Sequence, residues 1–140
     1  MKRFTVPPLL ALALAALCLM LFLTVQVMAY QSKSLDAEFA MICRDVIDRS
    51  AIDVSTSFPV SVGKLFCFTK IVNAQDPTQI THVWYHGSVE RARVTLPVNS
   101  NSWRTYSSKI IQPHETGDWY VDILDAQGDL LVSVPFKVTQ

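Results

Sequence analysis

The spacing of apolar residues divides the chain into two parts. Residues 9–25 carry no charge, and Thr24 is their one polar side chain. From residue 39 onward, runs rich in Val, Ile, Thr and aromatic residues recur about every 8–12 residues with turn residues between them, as in a β-sandwich. Residues 35–49 would alternatively begin with a helical turn. The pattern predicts one hydrophobic N-terminal helix and seven strands, over residues 39–47, 60–72, 79–86, 89–98, 103–111, 119–124 and 130–138.

The N-terminal segment has the organisation of an export signal. Lys2 and Arg3 precede the apolar run, and the residues before position 30 favour cleavage after Ala29. Signal-peptide cores measure about 7–15 residues and membrane-spanning helices about 20, so the run fits either a cleaved signal or a membrane anchor retained over residues 7–28. In both cases the positive end stays inside, and residues 30–140 are expected in the periplasm.

This division predicts a signal peptide or anchor over residues 1–29, a polar tether over residues 30–38 and one β domain over residues 39–140. The chain carries 12 basic and 12 acidic side chains, which excludes a strongly basic nucleic-acid-binding protein. Half of its residues are hydrophobic, too many for an intrinsically disordered protein. Without residues 1–29, ten basic and twelve acidic side chains remain, so the exported part is slightly acidic.

Two turns predict hairpins with a defined register. Residues 87–88 form a two-residue turn with glycine first, which would place Val83 opposite Ala92 and Trp84 opposite Arg91. In that register the row with Val83 is apolar, and the row with Trp84 is aromatic and basic.

The second hairpin turns at residues 125–128, where Gly128 is free to adopt a positive φ. It would pair Trp119 with Val134 and Ile123 with Leu130, which gives an apolar inward row. A slip by one residue would turn that whole row toward solvent, so the pattern and the turn support each other.

Two cysteines, Cys43 and Cys67, fall in the β domain. Outside the cytoplasm an even number of cysteines usually forms disulfides, so a Cys43–Cys67 bridge is predicted. Such a bridge would add about 3 kcal/mol of stability by restricting the unfolded chain. The alternative is a pair of buried free thiols in the core.

No metal site is predicted. His82 and His86 lie four residues apart, which is about 13 Å along a strand and too far for one ion. His114 lies in a loop, and the three or four convergent ligands that a tetrahedral site needs are not evident around it.

No catalytic site is predicted either. Ser107 and Lys109 share a strand face, as a Ser–Lys dyad requires, but no glycine-rich turn that could supply an oxyanion donor is visible. We therefore expect no cofactor and no enzymatic activity, and a hydrolase that uses these two residues is an alternative.

Aromatic and basic residues are the candidates for a binding surface. A Trp beside an Arg gains from cation–π attraction, and such a surface suits a protein partner, a sugar ring or an anionic polymer. The alternative is that the tryptophans belong to the core, with arginine stems packed over them. The candidates are Trp84, Arg91, Arg93, Trp103, Arg104, Tyr106 and Lys109.

Four runs carry a family resemblance: GKLFCFTK at 63–70, HVWY at 82–85, WRTYSSK at 103–109 and GDWYV at 117–121. In this order they resemble the bacterial family catalogued as domain of unknown function 2914 (DUF2914), over roughly residues 58–139. The resemblance implies an exported or membrane-tethered module with an immunoglobulin-like β fold. It implies no known reaction, cofactor or catalytic residue.

The expected fold is all-β: an immunoglobulin-like β-sandwich of about seven strands, preceded by one hydrophobic helix that is a signal or an anchor. The expected function is that of a non-catalytic exported binding or accessory module of the bacterial envelope, which recognises a protein or a glycan and no nucleic acid. The alternative is a membrane-anchored structural subunit of an envelope complex, with residues 7–28 retained in the membrane.

Overall fold

The N-terminal unit contains one helix. The computed structural model describes residues 7–28 and 33–140, and the chain divides into two compact units after Lys33. Helix α1 (Pro8–Met28) begins with a proline, which is tolerated there because the first helical N–H has no partner within the helix. Among the described residues, no helix has both the length and the hydropathy needed to cross a membrane. The predicted cleavage after Ala29 and residues 30–32 of the predicted tether lie outside the described residues.

The second unit (residues 34–140) is built from strands. A 3₁₀ turn (Val60–Val62) precedes its central strand. The strands are β1 (Asp36–Cys43), β2 (Asp45–Ile47), β3 (Ser50–Ile52), β4 (Ser57–Pro59), β5 (Lys64–Val72), β6 (Thr78–His86), β7 (Val89–Val98), β8 (Ser102–Ile110), β9 (Gly117–Leu124) and β10 (Leu130–Thr139).

Two larger sheets and one small hairpin contain these strands. β1, β5 and β8 form an antiparallel three-stranded sheet with β5 in its centre. The five-stranded sheet has the order β4-β10-β9-β6-β7, and its pairs are antiparallel except for the short parallel pair of β4 with β10. β2 and β3 pair only with each other. The protein is therefore mostly β, with one N-terminal helix.

One hydrophobic core joins the two larger sheets. Along β5, every second residue points into it, so that Leu65, Cys67 and Ile71 are fully buried. The same alternation buries Trp119, Val121 and Ile123 along β9. The core residues contributed by the strands of both sheets include Ile42, Leu65, Cys67, Ile71, Ile80, Trp84, Val98, Trp119, Val121, Ile123, Phe136 and Val138.

All seven predicted strands occur, but some of their ends differ. The strand predicted over residues 39–47 is interrupted at Arg44, and β1 begins earlier, at Asp36. The strand predicted from residue 60 begins at Lys64, because Gly63 adopts a φ of 71° and ends the preceding 3₁₀ turn. The two short strands β3 and β4 were not predicted, since three residues are too few to show a period.

A β-bulge makes the predicted register of the first hairpin wrong beyond its turn. Gly87 has a φ of 58°, as a two-residue turn with glycine first requires. The register then shifts between Tyr85 and Trp84, so that Trp84 lies opposite Ala92 instead of Arg91. Arg91 is the extra residue that this bulge leaves without a partner.

The second hairpin keeps its predicted faces but not its predicted pairs. Trp119 lies opposite Phe136 instead of Val134, because the pair nearest the turn, Leu130 with Leu124, is already displaced by one residue and a bulge between Leu130 and Val132 adds a second. A shift by two preserves the inward side of every residue, so the apolar row stays buried. Leu130, predicted in that row, is 58% exposed.

The predicted Cys43–Cys67 disulfide is wrong: both thiols are free and fully buried. Cys67 lies opposite Ile42, whereas Cys43 lies opposite Phe66. Successive side chains point to opposite faces of a sheet, so this offset of one residue places the two sulfurs on different sides of the three-stranded sheet. Burial raises the pKa of Cys67 to about 12 and also raises the pKa of Cys43.

The cysteines give a direct test of this arrangement. Without reductant, an alkylating reagent should modify Cys43 and Cys67 slowly in the folded protein, because burial and a raised pKa leave little accessible thiolate. After unfolding in denaturant, still without reductant, both should be modified completely. Peptide-level mass spectrometry reads the two positions separately, and a disulfide-linked peptide that contains both would contradict the structure.

Candidate functional site

The seven candidate binding residues do not form one surface. The structure distributes them over the inward positions of β6 and β8 (Trp84, Trp103, Lys109), the edge strand β7 (Arg91, Arg93) and the outward positions of β8 (Arg104, Tyr106). The predicted single aromatic and basic face is therefore wrong, and the three groups of residues have different surroundings.

Trp84 is a core residue and not part of an exposed face. Its indole has no solvent exposure and packs edge-on against Phe136, with 6.1 Å between the ring centres. Its Nε1–H donates a 3.0 Å hydrogen bond to Ser107 Oγ on the other sheet. The physical reason for the difference is the bulge at Arg91, which separates Trp84 from the arginine expected beside it.

Trp84 belongs to a chain of hydrogen bonds that crosses the core. The indole N–H can only donate, so Ser107 Oγ accepts from it and can donate its own proton to His82 Nδ1, 2.7 Å away. His82 Nε2–H then donates to Thr69 Oγ1 at 3.0 Å. The chain links β6 of the five-stranded sheet to β8 and β5 of the three-stranded sheet, with the partners of each polar group satisfied inside the core.

His82 is neutral within this chain. The side chain has no solvent exposure, and burial lowers its pKa from 6.5 to about 4, because a charged imidazole would lose its hydration in the core. A neutral ring supplies one donor and one acceptor, which is what the Ser107 and Thr69 contacts require.

Ser107 and Lys109 share the inward side of β8, as predicted, but their side chains have different hydrogen-bond partners. Ser107 is 4% exposed, and its hydroxyl is engaged by Trp84 and His82. Lys109 Nζ donates to the carbonyl oxygen of Ile110 at 2.5 Å. The Ser107 hydroxyl therefore links the two larger sheets.

The remaining inward candidates pack against the core. Trp103 is half-buried on β8, opposite Ile71, and contacts the core cluster. Lys109 Nζ lies 6.0 Å from the ring centre of Trp119. Both residues agree with the alternative in which aromatic side chains are buried under the stems of basic ones.

The Arg91 guanidinium forms an ion pair with a buried carboxylate. Glu115 is 1% exposed and accepts hydrogen bonds from the Arg91 guanidinium and from the backbone N–H of Gln112. Burial alone would raise the pKa of Glu115, but the Gln112 N–H and the charges of Lys109, Arg91 and His114 outweigh it, so that the pKa is lowered. Sequence reasoning missed this site, because Glu115 lies in a loop, where no periodic pattern marks a buried residue.

Arg93 is exposed and forms an ion pair with Glu90 three residues earlier, with 2.6 Å between Nη2 and Oε1. An exposed pair of this kind contributes little to stability, because water screens both charges. Arg93 belongs to the outward side of the five-stranded sheet, away from Arg104 and Tyr106.

Arg104 and Tyr106 belong to a larger apolar surface on the outward side of the three-stranded sheet. There, Tyr106 lies opposite Phe68, and Phe68 lies opposite Met41. We name this surface the aromatic face. It contains Phe39, Met41, Phe66, Phe68, Tyr106 and Ile110, with Lys64, Lys70 and Arg104 among them.

Ring contacts and exposure define the aromatic face further. The rings of Phe66 and Tyr106 pack edge-on at 5.9 Å, and those of Phe39 and Phe68 lie 5.7 Å apart. Tyr106 is 49% exposed and Ile110 59% exposed. An outward sheet face that meets water is normally polar, so this one is an exception among antiparallel sheets.

Two positive charges of the aromatic face have no carboxylate partner in the part of the chain that the structure describes. Lys70 pairs with Glu38, whereas Lys64 and Arg104 form no ion pair within the described residues. Lys64 Nζ instead lies 5.4 Å from the ring centre of Phe66. The face therefore combines the exposed ring of Tyr106, and the partly buried rings around it, with cations that are available to an external group.

Residues of the aromatic face on β5 were missed in the sequence, although a signal was present. Residues 64–72 carry apolar side chains at even as well as odd positions: Phe66 lies between the buried Leu65 and Cys67, and Phe68 follows Cys67. A strand that covers a core on one side needs apolar residues on that side only, so the second apolar row indicated another contact surface.

The histidines do not form a metal site. His82 is used in the core, and His86 Nε2–H donates to the carbonyl oxygen of Thr116 at 2.7 Å while its ring stacks on Trp119. Over residues 7–28 and 33–140, no three His, Cys, Asp or Glu side chains converge in a way that could hold an ion.

A family model described as "Protein of unknown function (DUF2914)" matches residues 77–138. The match extends from the start of β6 into β10 and includes three of the four runs that carry the resemblance, while the run at 63–70 precedes it. The predicted resemblance is confirmed for this part of the chain. No curated protein matches the sequence.

Acid should destabilise the domain through His82. The unfolded chain binds a proton near pH 6.5 and the folded chain only near pH 4, so stability is complete above the first value and decreases as the pH falls toward the second. The free energy of unfolding, measured by urea titration, should decrease by about 2 kcal/mol between pH 7.5 and pH 5 from this residue.

Two variants isolate the contribution of His82. His82→Gln should lose the decrease, because its amide does not titrate, and His114→Gln should retain it, because His114 is exposed. An equal decrease in wild type and His82→Gln would show that the buried histidine does not control the acid response.

Proposed function

We propose that this chain, which matches DUF2914 over residues 77–138, is a non-catalytic binding module of the bacterial envelope. Its binding surface in this proposal is the aromatic face, and its ligand is an envelope protein or a glycan. The single observation that carries the proposal is the second apolar row of β5, which the core does not explain.

The area and composition of the aromatic face support recognition of a partner. Large exposed apolar patches on soluble domains usually mark interaction sites, and binding energy concentrates in Tyr, Trp and Arg side chains. Tyr106 and Arg104 lie next to each other on β8 and are exposed, with Phe66 beside Tyr106. The partly buried rings around them would supply a preformed support for an incoming group.

The export signal predicted at the N-terminus supports the periplasm as the compartment of this module. The positive N-terminus, the apolar run over residues 9–25 and the residues before position 30 have the order of a signal segment. The module is proposed to act in the periplasm.

The strand order supports an immunoglobulin-like β-sandwich as the finer description of the fold. In that architecture, the first, second and fifth strands share one sheet, and the third, sixth and seventh share the other. If the three-residue strands are set aside, β1, β5 and β8 correspond to the first group, and β6, β9 and β10 to the second. The fourth long strand, β7, departs from the constant-type pattern, because it pairs with β6 instead of joining the first sheet. The loops and sheet faces of such sandwiches commonly serve as binding surfaces.

The buried chain of hydrogen bonds supports a non-catalytic role. A nucleophile must reach its substrate, whereas Ser107 is enclosed and donates within the core. Its neighbours Trp84 and His82 are equally enclosed.

The experiment is affinity capture from the envelope with variants of the full chain. Arg104→Ala and Tyr106→Ala should each weaken capture of the same component by about tenfold, because each removes a central contact. Arg93→Ala is the matched control, since it removes the same charge from an exposed position on the other sheet.

Quantitative mass spectrometry and glycan analysis of the captured material provide the readout, after unfolding midpoints show that the variants are folded. Equal capture by wild type, Arg104→Ala and Tyr106→Ala would contradict a binding role for the aromatic face. A loss confined to Arg93→Ala would place the binding surface on the five-stranded sheet instead.

A further inference from the structure

The edges of the two larger sheets differ in how they are protected against pairing. β1 has a bulge between Ala37 and Phe39, and β7 has the bulge at Arg91 and a proline at position 97. β4 is only three residues long. On β10, the strand next to β4, Pro135 has no backbone N–H to donate. Bulges, prolines and short lengths are the usual means by which a sheet edge is blocked.

Strand β8, at the other edge of the three-stranded sheet, has none of these features. Its nine residues contain no proline or glycine, and they pair with β5 in one continuous register without a bulge. Among the described residues, no strand pairs with its opposite side. β8 is thus a regular edge that could accept another strand.

The hydrogen-bonding direction along β8 identifies which backbone groups are free. Ile111 N–H donates to the carbonyl oxygen of Gly63 at 2.9 Å, at the end of the β5–β8 pair. Bonded pairs alternate along antiparallel strands, so odd-numbered residues of β8 bond to β5 and even-numbered residues direct their N–H and C=O groups away from it. The bond from Lys109 Nζ to the Ile110 carbonyl agrees with this, since that carbonyl belongs to the free row.

The residues with free backbone groups are also those whose side chains lie on the aromatic face. The direction of the backbone N–H and C=O groups and the direction of the side chain both alternate with a period of two. On β8 the even positions have free backbone groups and outward side chains. An added strand would therefore bond to the backbone of Arg104, Tyr106 and Ser108, and every second side chain of that strand would lie beside theirs on the aromatic face. This is the geometry of β-strand addition, in which backbone bonds give affinity and alternate side chains give specificity.

From this coincidence we infer that β8 binds an extended polypeptide segment of a partner protein, which adds to the three-stranded sheet beside β8 and extends the aromatic face with apolar and acidic side chains. The inference rests on the proposed function and selects a protein instead of a glycan, since a glycan cannot form the backbone ladder. Acidic side chains fit because Arg104, on β8 itself, forms no ion pair within the described residues.

The Ser108→Pro variant tests whether the free edge of β8 binds a strand, and it leaves the three-stranded sheet intact. The Ser108 N–H points away from β5, so Ser108→Pro removes a donor from the free row and leaves the β5–β8 bonds in place. Ser108→Ala is the matched control, because it keeps the backbone N–H and removes the same hydroxyl. Backbone amide exchange at Thr105 and Ser107 should remain slow in both variants and shows that the sheet is intact.

The probe is an unbiased library of random peptides of about ten residues, the length of a long strand, selected against the full chain. Selected peptides should alternate apolar residues on one side and carry Asp or Glu on that side. Their affinity should decrease about tenfold or more for Ser108→Pro and remain near wild type for Ser108→Ala. Amide exchange of Tyr106 and Ser108 should become slower when such a peptide binds.

Three results would overturn the inference: no peptide enriched above the Ser108→Pro background, equal binding by Ser108→Pro and Ser108→Ala, or a concentration-dependent dimer of the chain that Ser108→Pro abolishes. The last result would assign the edge to a second copy of this chain. Envelope capture that depends on Tyr106 but not on the proline variant would retain the proposed function and reject only strand addition.

Discussion

The alternation of side chains along β5 and β8 is the constraint on which the structure depends. Each strand sends one row of side chains into the core and the other outward. In most sheets the outward row is polar, whereas here it carries Phe66, Phe68 and Tyr106. The same two strands therefore build both the core and the aromatic face, and a change in their register would exchange the two surfaces.

The register is held by polar contacts inside the core as well as by apolar packing. The chain from Trp84 through Ser107 and His82 to Thr69 requires specific residues of three strands to lie opposite one another. If β8 slipped by one residue, Ser107 would turn outward, and the buried indole N–H and imidazole would lose their partners. Unsatisfied groups of this kind cost about 1–3 kcal/mol each, so the chain favours one alignment of the sheets over its neighbours.

The sequence predicts the strands better than the surfaces they form. Period-two runs with β-branched and aromatic residues locate all seven long strands, and the apolar row around Trp119 and Ile123 is found on the correct side. A bulge adds one residue without any signal in the hydrophobic pattern, and the bulge at Arg91 places Ala92 instead of that arginine opposite Trp84, on the side of β6 that faces the core. The free cysteines have a similar cause, because their opposite faces follow from a pairing offset of one residue between β1 and β5. Glu115 could not be found, since its contacts with Arg91 and Gln112 arise only after the loop has folded.

The proposed function requires the aromatic face to contact another molecule. The most direct measurement is photo-crosslinking in living cells, with p-benzoylphenylalanine placed at Tyr106 in one variant and at Thr95, on the outward side of the five-stranded sheet, in another. The account predicts a crosslinked product of defined mass from position 106 and none from position 95. Crosslinking from position 95 alone, or from neither position at expression levels equal to wild type, would contradict it.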